Sequence, residues 1–221
     1  MLLHGYLSSK ESFYYQIKFL SQYFKVTAFD FPAFGKSAPI DFGWSVGDYA
    51  KWFKNFLDTA NIKPKIILAH SFGARVAFKY LCVNENGCEK LIIVGGAGLV
   101  KPRSPQYIRR VKRYKLIKKF FPKYAEKHFG SSDYRSLSPV MRESFKKIVN
   151  EDLSVCAASV KCKTLLIYGK EDTQTPPEEE GKTFNSLIKN SSLELCEGGH
   201  FCFSQHYETF NKLIYDFLTE R

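Results

Sequence analysis

Three residues, Ser71, Asp172 and His200, have the types and surroundings to carry out a reaction together. Ser71 is the centre of Ala69-His70-Ser71-Phe72-Gly73, which ends the apolar run Lys65–Ala69 and opens a helical pattern from Phe72 to Cys82. A serine on such a strand-to-helix turn is held in a strained backbone conformation with its hydroxyl exposed, and it needs small neighbours. Gly73 is one of them, and Ala69 stands where a first glycine is usual. A serine hydroxyl attacks a carbonyl only when a base takes its proton and a carboxylate orients that base. Gly169-Lys170-Glu171-Asp172 and Gly198-Gly199-His200-Phe201 supply both, each just after a short apolar run, with Glu171 as the fallback carboxylate. The plainer alternatives are a helix cap for Ser71, a turn residue for Asp172 and a loop imidazole for His200.

Short apolar runs alternate with helical patterns along the chain, which is the signature of a parallel sheet. Lys25–Asp30, Lys65–Ala69, Leu91–Val94, Thr164–Tyr168 and Leu193–Leu195 read as strands. Ser45–Thr59, Phe72–Cys82, Pro177–Ile188 and Gln205–Leu218 read as helices, the first opened by the capping pair Ser45 and Asp48. Ser71, Asp172 and His200 then each lie beyond the C-terminal end of a strand and project from one edge of the sheet. The alternation breaks once. Residues 1–98 and 162–221 form the α/β core, and residues 99–161 a helical insertion.

A chain of 221 residues with 44% hydrophobic side chains can bury one large core. The longest mostly apolar run, Leu91–Val100, is far short of the roughly 20 residues that cross a membrane. The first residues do not read as a secretory signal, so the cytoplasm is the expected location. The six cysteines fall in pairs six apart, Cys82 and Cys88, Cys156 and Cys162, Cys196 and Cys202. They read as reduced thiols with an accidental spacing, and no pair is close enough in sequence to suggest zinc.

The net charge of +11 is concentrated between Leu99 and Gly130, where eleven basic residues face Glu126 alone. A nearly neutral body with one basic segment argues against a nucleic-acid partner, and no binding motif accompanies it. Tyr107, Val111, Tyr114, Ile117, Phe121 and Tyr124 recur there at steps of three and four, the packing stripe of a helix, with the basic residues outside. The basic face reads as solvated, with recruitment of anionic substrates or membrane surfaces as the alternatives.

Two further motifs complete a resemblance. Leu2-Leu3-His4-Gly5-Tyr6 ends a short apolar run in a His-Gly turn, and Phe29-Asp30-Phe31-Pro32-Ala33-Phe34-Gly35-Lys36-Ser37 looks like an Asp-x-Pro-Gly-x-Gly-x-Ser turn with Ala33 for one glycine. With the Ser71 turn, these resemble the α/β-hydrolase superfamily, and in particular its small cap-bearing serine hydrolases, over essentially the whole chain. The resemblance implies Ser71 as nucleophile, His200 as general base and acid, Asp172 as its orienting partner, and the backbone N–H groups of Tyr6 and Phe72 as the oxyanion hole. It implies that the insertion is a cap, that no cofactor or metal is needed, and that His4 and His70 are structural. Arg75 is expected to contact the surface or the cap. The family places two strands before the His-Gly turn, where here only Met1, Leu2 and Leu3 stand. The sheet is therefore expected to have a bare edge, with self-association or marginal stability as the consequence. The implied reaction is hydrolysis of a small carboxylic ester or thioester. The alternatives are a C–C hydrolase or lyase acting on an anionic metabolite, or a catalytically weak ligand-binding homologue.

Overall fold

The computed structural model describes residues 1–100, 105–121 and 132–220, and in it the apolar runs form a five-stranded, wholly parallel sheet in chain order. The strands are β1 (Leu2–Leu3), β2 (Ile66–His70), β3 (Lys90–Val94), β4 (Lys163–Gly169) and β5 (Ser191–Cys196). Ile66 pairs with Lys90, and Lys90 with Lys163, so the central strands start level and their C-terminal ends form one rim. Successive side chains of a strand point to opposite faces, and in β2, β3 and β4 both faces are covered, which is why their central runs are apolar without interruption. Leu3, Ile67, Ala69, Leu91, Ile93 and Leu166 pack on one side beneath α2 (Val46–Thr59) and α3 (Phe72–Val83). Leu2, Leu68, Ile92, Val94, Leu165 and Ile167 pack on the other, against side chains of α1 (Tyr14–Leu20) and the C-terminal helix.

Local signals set the elements that hold the site. Ser45 and Asp48 form the expected capping box: Asp48 N–H donates to Ser45 Oγ at 3.2 Å, and Ser45 N–H to the Asp48 carboxylate at 2.8 Å. A Cβ on Gly73 would sit 2.2 Å from the Leu3 carbonyl oxygen, so only glycine lets α3 approach β1 this closely.

Three expected elements differ in form. Lys25–Asp30 makes only one bridge, between Ala28 and Leu2, because its neighbour β1 is two residues long. The segment after Pro176 winds as a wide π turn, Pro177–Gly181, before α8 (Lys182–Leu187). The last helix is two, α9 (Cys202–Gln205) and α10 (Tyr207–Thr219), because His206 between them leaves the helical region at φ −124°, ψ 50°.

Between β3 and β4 lie α4 (Pro105–Phe120), α5 (Ser132–Ser136), α6 (Pro139–Asn150) and α7 (Ser154–Ala158). On α4, Val111, Tyr114 and Ile117 form a half-buried line while Arg109, Lys112, Arg113 and Lys119 are exposed. Phe121, expected in that line, is exposed instead. Lys101, Arg103, Lys123, Tyr124, Glu126 and Lys127 lie outside the described residues, as do the side chains of Tyr107, Arg110, Lys115 and Lys118. The insertion is fastened through α6. Arg75, buried on α3, donates to the carbonyls of Ile148 at 2.9 Å and Glu151 at 3.1 Å, and Lys79 pairs with the Glu151 carboxylate at 2.8 Å. Two cations at the C-terminal end of a helix suit the carbonyls left free there. Ser144 Oγ adds a bond to the Trp44 carbonyl at 2.7 Å. Among the described residues no helix is long and apolar enough to cross a membrane.

Candidate active site

Ser71 stands between β2 and α3 at φ 51°, ψ −105°, a conformation that an L-residue adopts only under constraint. Its amide donates to the Val94 carbonyl of the next strand at 3.0 Å, which pins the turn to the rim of the sheet. Its side chain makes no capping bond to the helix that it opens, so the plain reading of Ser71 as a helix cap does not describe it.

Asp172 follows β4 and His200 follows β5, and the pairing of those strands brings the two loops together. Asp172 Oδ2 accepts from His200 Nδ1 at 2.8 Å. Both side chains are buried, whereas Ser71 is half-buried. The second carboxylate oxygen accepts from the amides of Gln174 at 2.8 Å and Thr175 at 3.0 Å. Burial pushes the Asp172 carboxyl up, but the bonds from His200 and Thr175 outweigh it and hold it below the ordinary carboxylate range. A carboxylate kept ionised beside Nδ1–H leaves Nε2 as the basic nitrogen of His200.

Two residues of this arrangement had no signal in the sequence. Thr175 Oγ1 donates to Asp172 Oδ2 at 2.8 Å and lies 3.3 Å from His200 Nδ1, so it braces the pair from one side. Gly95 follows β3 with φ 50°, and a Cβ there would lie 3.1 Å from His200 Nδ1 and 3.3 Å from Asp172 Oδ2. Only the side chain each residue bears, or lacks, at the strand rim explains its place, and that rim exists only after the strands pair.

His4 and His70 occupy supporting positions. His4 Nε2 accepts the Phe31 amide at 2.9 Å, which leaves Nδ1–H to donate to the Gly5 carbonyl at 2.8 Å; the ring ties the His-Gly turn to the segment after Asp30. His70 Nε2 bonds the His200 backbone carbonyl at 2.9 Å, with the two rings 4.7 Å apart. Burial pushes the His70 pKa down to about 3, so it adds no positive charge beside His200. Arg75 points away from the site into the insertion, while Glu171 is exposed. Tyr6 packs edge-on against Phe34 and Phe72 at 5.0 and 5.7 Å and meets Phe145 of α6 at 5.3 Å, giving an aromatic wall. Its hydroxyl donates to the Met141 carbonyl at 3.2 Å.

A family model described as "alpha/beta hydrolase fold" matches residues 1–155. The AB hydrolase superfamily protein YisY of Bacillus subtilis is 25% identical over 98% of this chain and 90% of its own length. A 2-hydroxy-6-oxononadienedioate/2-hydroxy-6-oxononatrienedioate hydrolase of Pseudomonas putida is 26% identical over 88% of this chain and 77% of its own. An esterase from Exiguobacterium antarcticum has the same fold, with a TM-score of 0.77 at 22% identity over 99% of this chain and 91% of that one.

Proposed function

The chain belongs to the alpha/beta hydrolase fold family, and on that premise we propose that it is a serine hydrolase cleaving a small carboxylic ester or thioester through an acyl-enzyme on Ser71. What supports this reading is that a strained serine and the buried, hydrogen-bonded Asp172–His200 pair each follow a strand at the same rim of one parallel sheet. Ser71 Oγ attacks the carbonyl carbon while His200 Nε2 takes its proton. Asp172 keeps the imidazole in the required tautomer and stabilises the imidazolium. The backbone N–H groups of Tyr6 and Phe72 donate to the oxyanion, the latter from the first turn of α3, where amides have no helical partner. Collapse expels the alcohol or thiol, protonated by His200, and a water deprotonated by the same ring releases the acid. The cycle uses no cofactor. Residues 99–161 act as the cap, and the aromatic wall of Tyr6, Phe34, Phe72 and Phe145 supports an apolar acyl group.

One observation favours a second reading, cleavage of a C–C bond in an anionic metabolite. The Pseudomonas putida relative is named for dienedioate substrates, and the exposed cations of α4 belong to the segment that would cover the site. A fluorophosphonate probe tests the common premise: it should label the wild-type chain on Ser71 and leave Ser71→Ala unlabelled. A folded wild-type chain that takes no label would remove the nucleophile assignment. Turnover of short-chain esters alongside dienedioates then separates the two reactions.

A further inference from the structure

The six-residue spacing of the cysteines has a counterpart in space. Cys88 is two residues before Lys90 and Cys162 one residue before Lys163, and those lysines are register partners on β3 and β4. The two sulfurs are 3.6 Å apart. Six residues earlier on each arm, Cys82 at the end of α3 neighbours Cys156 on α7, which packs against α3, so the same two arms meet twice. All these thiols are free. We propose that Cys88 and Cys162 form a disulfide site whose oxidation by a small disulfide of the glutathione class staples the starts of β3 and β4 together and closes the loop that carries the β3–β4 insertion.

The geometry suits this chemistry. A disulfide requires the sulfurs to close to about 2.0 Å, a small movement for two side chains that stand just ahead of neighbouring parallel strands. Cys162 is half-buried and open to a small oxidant, whereas Cys88 is buried. The hydrogen bond from Cys88 lowers the Cys162 pKa, which raises the fraction of attacking thiolate. The Cys162 thiolate attacks one sulfur of the small disulfide, breaking its S–S bond and releasing the first small thiol. The Cys88 thiol then loses its proton and attacks the Cys162 sulfur of the mixed disulfide, and the second small thiol leaves with that proton. Two protein thiols are oxidised, one small disulfide is reduced to two thiols, and no other reactant is needed. The resulting loop joins residues 74 apart and encloses the whole insertion, so it restricts the unfolded chain while locking an existing contact. Cys196 and Cys202, both buried, offer a small oxidant no comparable entry.

The full-length chain, equilibrated in buffers from reduced to oxidised glutathione, quenched by alkylation and digested without reduction, provides the test. The expected result is a linked Cys88–Cys162 peptide in the oxidised buffer, lost on adding excess thiol, together with a Tm raised by at least about 5 °C. The Cys88→Ser and Cys162→Ser variants should each lose the linked peptide and the part of the Tm shift that it produces. Alkylation of both residues in fully oxidised buffer while circular dichroism reports a folded chain overturns the proposal. So does linkage of either cysteine to a different partner, or an oxidised wild type whose Tm matches that of oxidised Cys88→Ser.

Discussion

Replacing Ser71 or His200 by alanine removes a group on which every step of the proposed cycle depends. Members of such a set act as a unit, so each variant should lower ester turnover by about 10⁴-fold or more. Asp172→Asn keeps the shape of the carboxylate but alters the tautomer that it enforces, and should cost somewhat less. Initial rates with an activated short-chain ester decide this, and near-native activity of Ser71→Ala would displace the nucleophile to another residue. Ala33 sits at φ 68°, where a Cβ is strained, at the position of one glycine in the resembled turn. Ala33→Gly should therefore stabilise the fold by about 0.5–1 kcal/mol, the relief of strain exceeding the added freedom of the unfolded chain. Denaturant melts of the two proteins measure the difference. In the same turn, burial pushes the Asp30 carboxyl up, but the amides of Lys10 and Lys36 and the Lys10 ammonium outweigh it and hold it below the ordinary range. A folded pKa below the unfolded one stabilises the protein above about pH 4, and that contribution fades as pH falls through the folded value. Melts at pH 6 and pH 3 should show wild type losing more stability than Asp30→Asn, and parallel losses would assign the acid sensitivity elsewhere.

Among the described residues, one buried contact between elements ties the insertion to α3. Arg75 on α3 reaches the carbonyls of Ile148 and Glu151 at the end of α6, and α6 in turn supplies Met141 and Phe145 to the wall beside Tyr6. Truncation to Arg75→Ala leaves those carbonyls without a charged donor in a buried place. The expected loss is about 2–3 kcal/mol of stability, with faster amide exchange concentrated in residues 139–151. Exchange that accelerates uniformly over the chain would show that Arg75 supports the core as a whole and does not specifically hold α6.

At the scale of the molecule, the sheet margin beside β1 is weakly paired. Lys25–Asp30 bridges β1 only at Ala28, and a cavity of about 380 Å³ lies beside it among Leu20, Phe24, Val26, Ile62, Ile66 and Leu218. This cavity is at the N-terminal ends of β1 and β2, away from the rim that carries Ser71. An edge with unpaired backbone groups next to apolar surface is a surface for pairing with a second copy. Sedimentation over a hundredfold concentration range should show reversible self-association of the protein. A single monomeric species throughout would mean that this edge is tolerated in isolation.

Much of the site was legible in the chain itself because local rules dictate it. A serine between an apolar run and a helical pattern, with Gly73 behind it, specifies a tight strand-to-helix turn wherever the fold places it. Ser45 and Asp48 specify a helix start by the same kind of short-range bonding. Short apolar runs such as Ile66–Ala69 and Leu165–Tyr168, free of polar alternation, specify strands covered on both faces. What the tertiary structure decided is everything that depends on which strands are neighbours. Gly95 and Thr175 matter only because β3, β4 and β5 lie side by side and bring His200 and Asp172 within reach of both. Arg75, which by sequence could face the surface or the insertion, is committed to the insertion by the seating of α6 over α3. The cysteine spacing, an apparent coincidence along the chain, becomes a contact because parallel register aligns Lys90 with Lys163. Pairing between residues tens of positions apart leaves no periodic trace in a sequence, since it is set by the total burial of many side chains and not by any one of them.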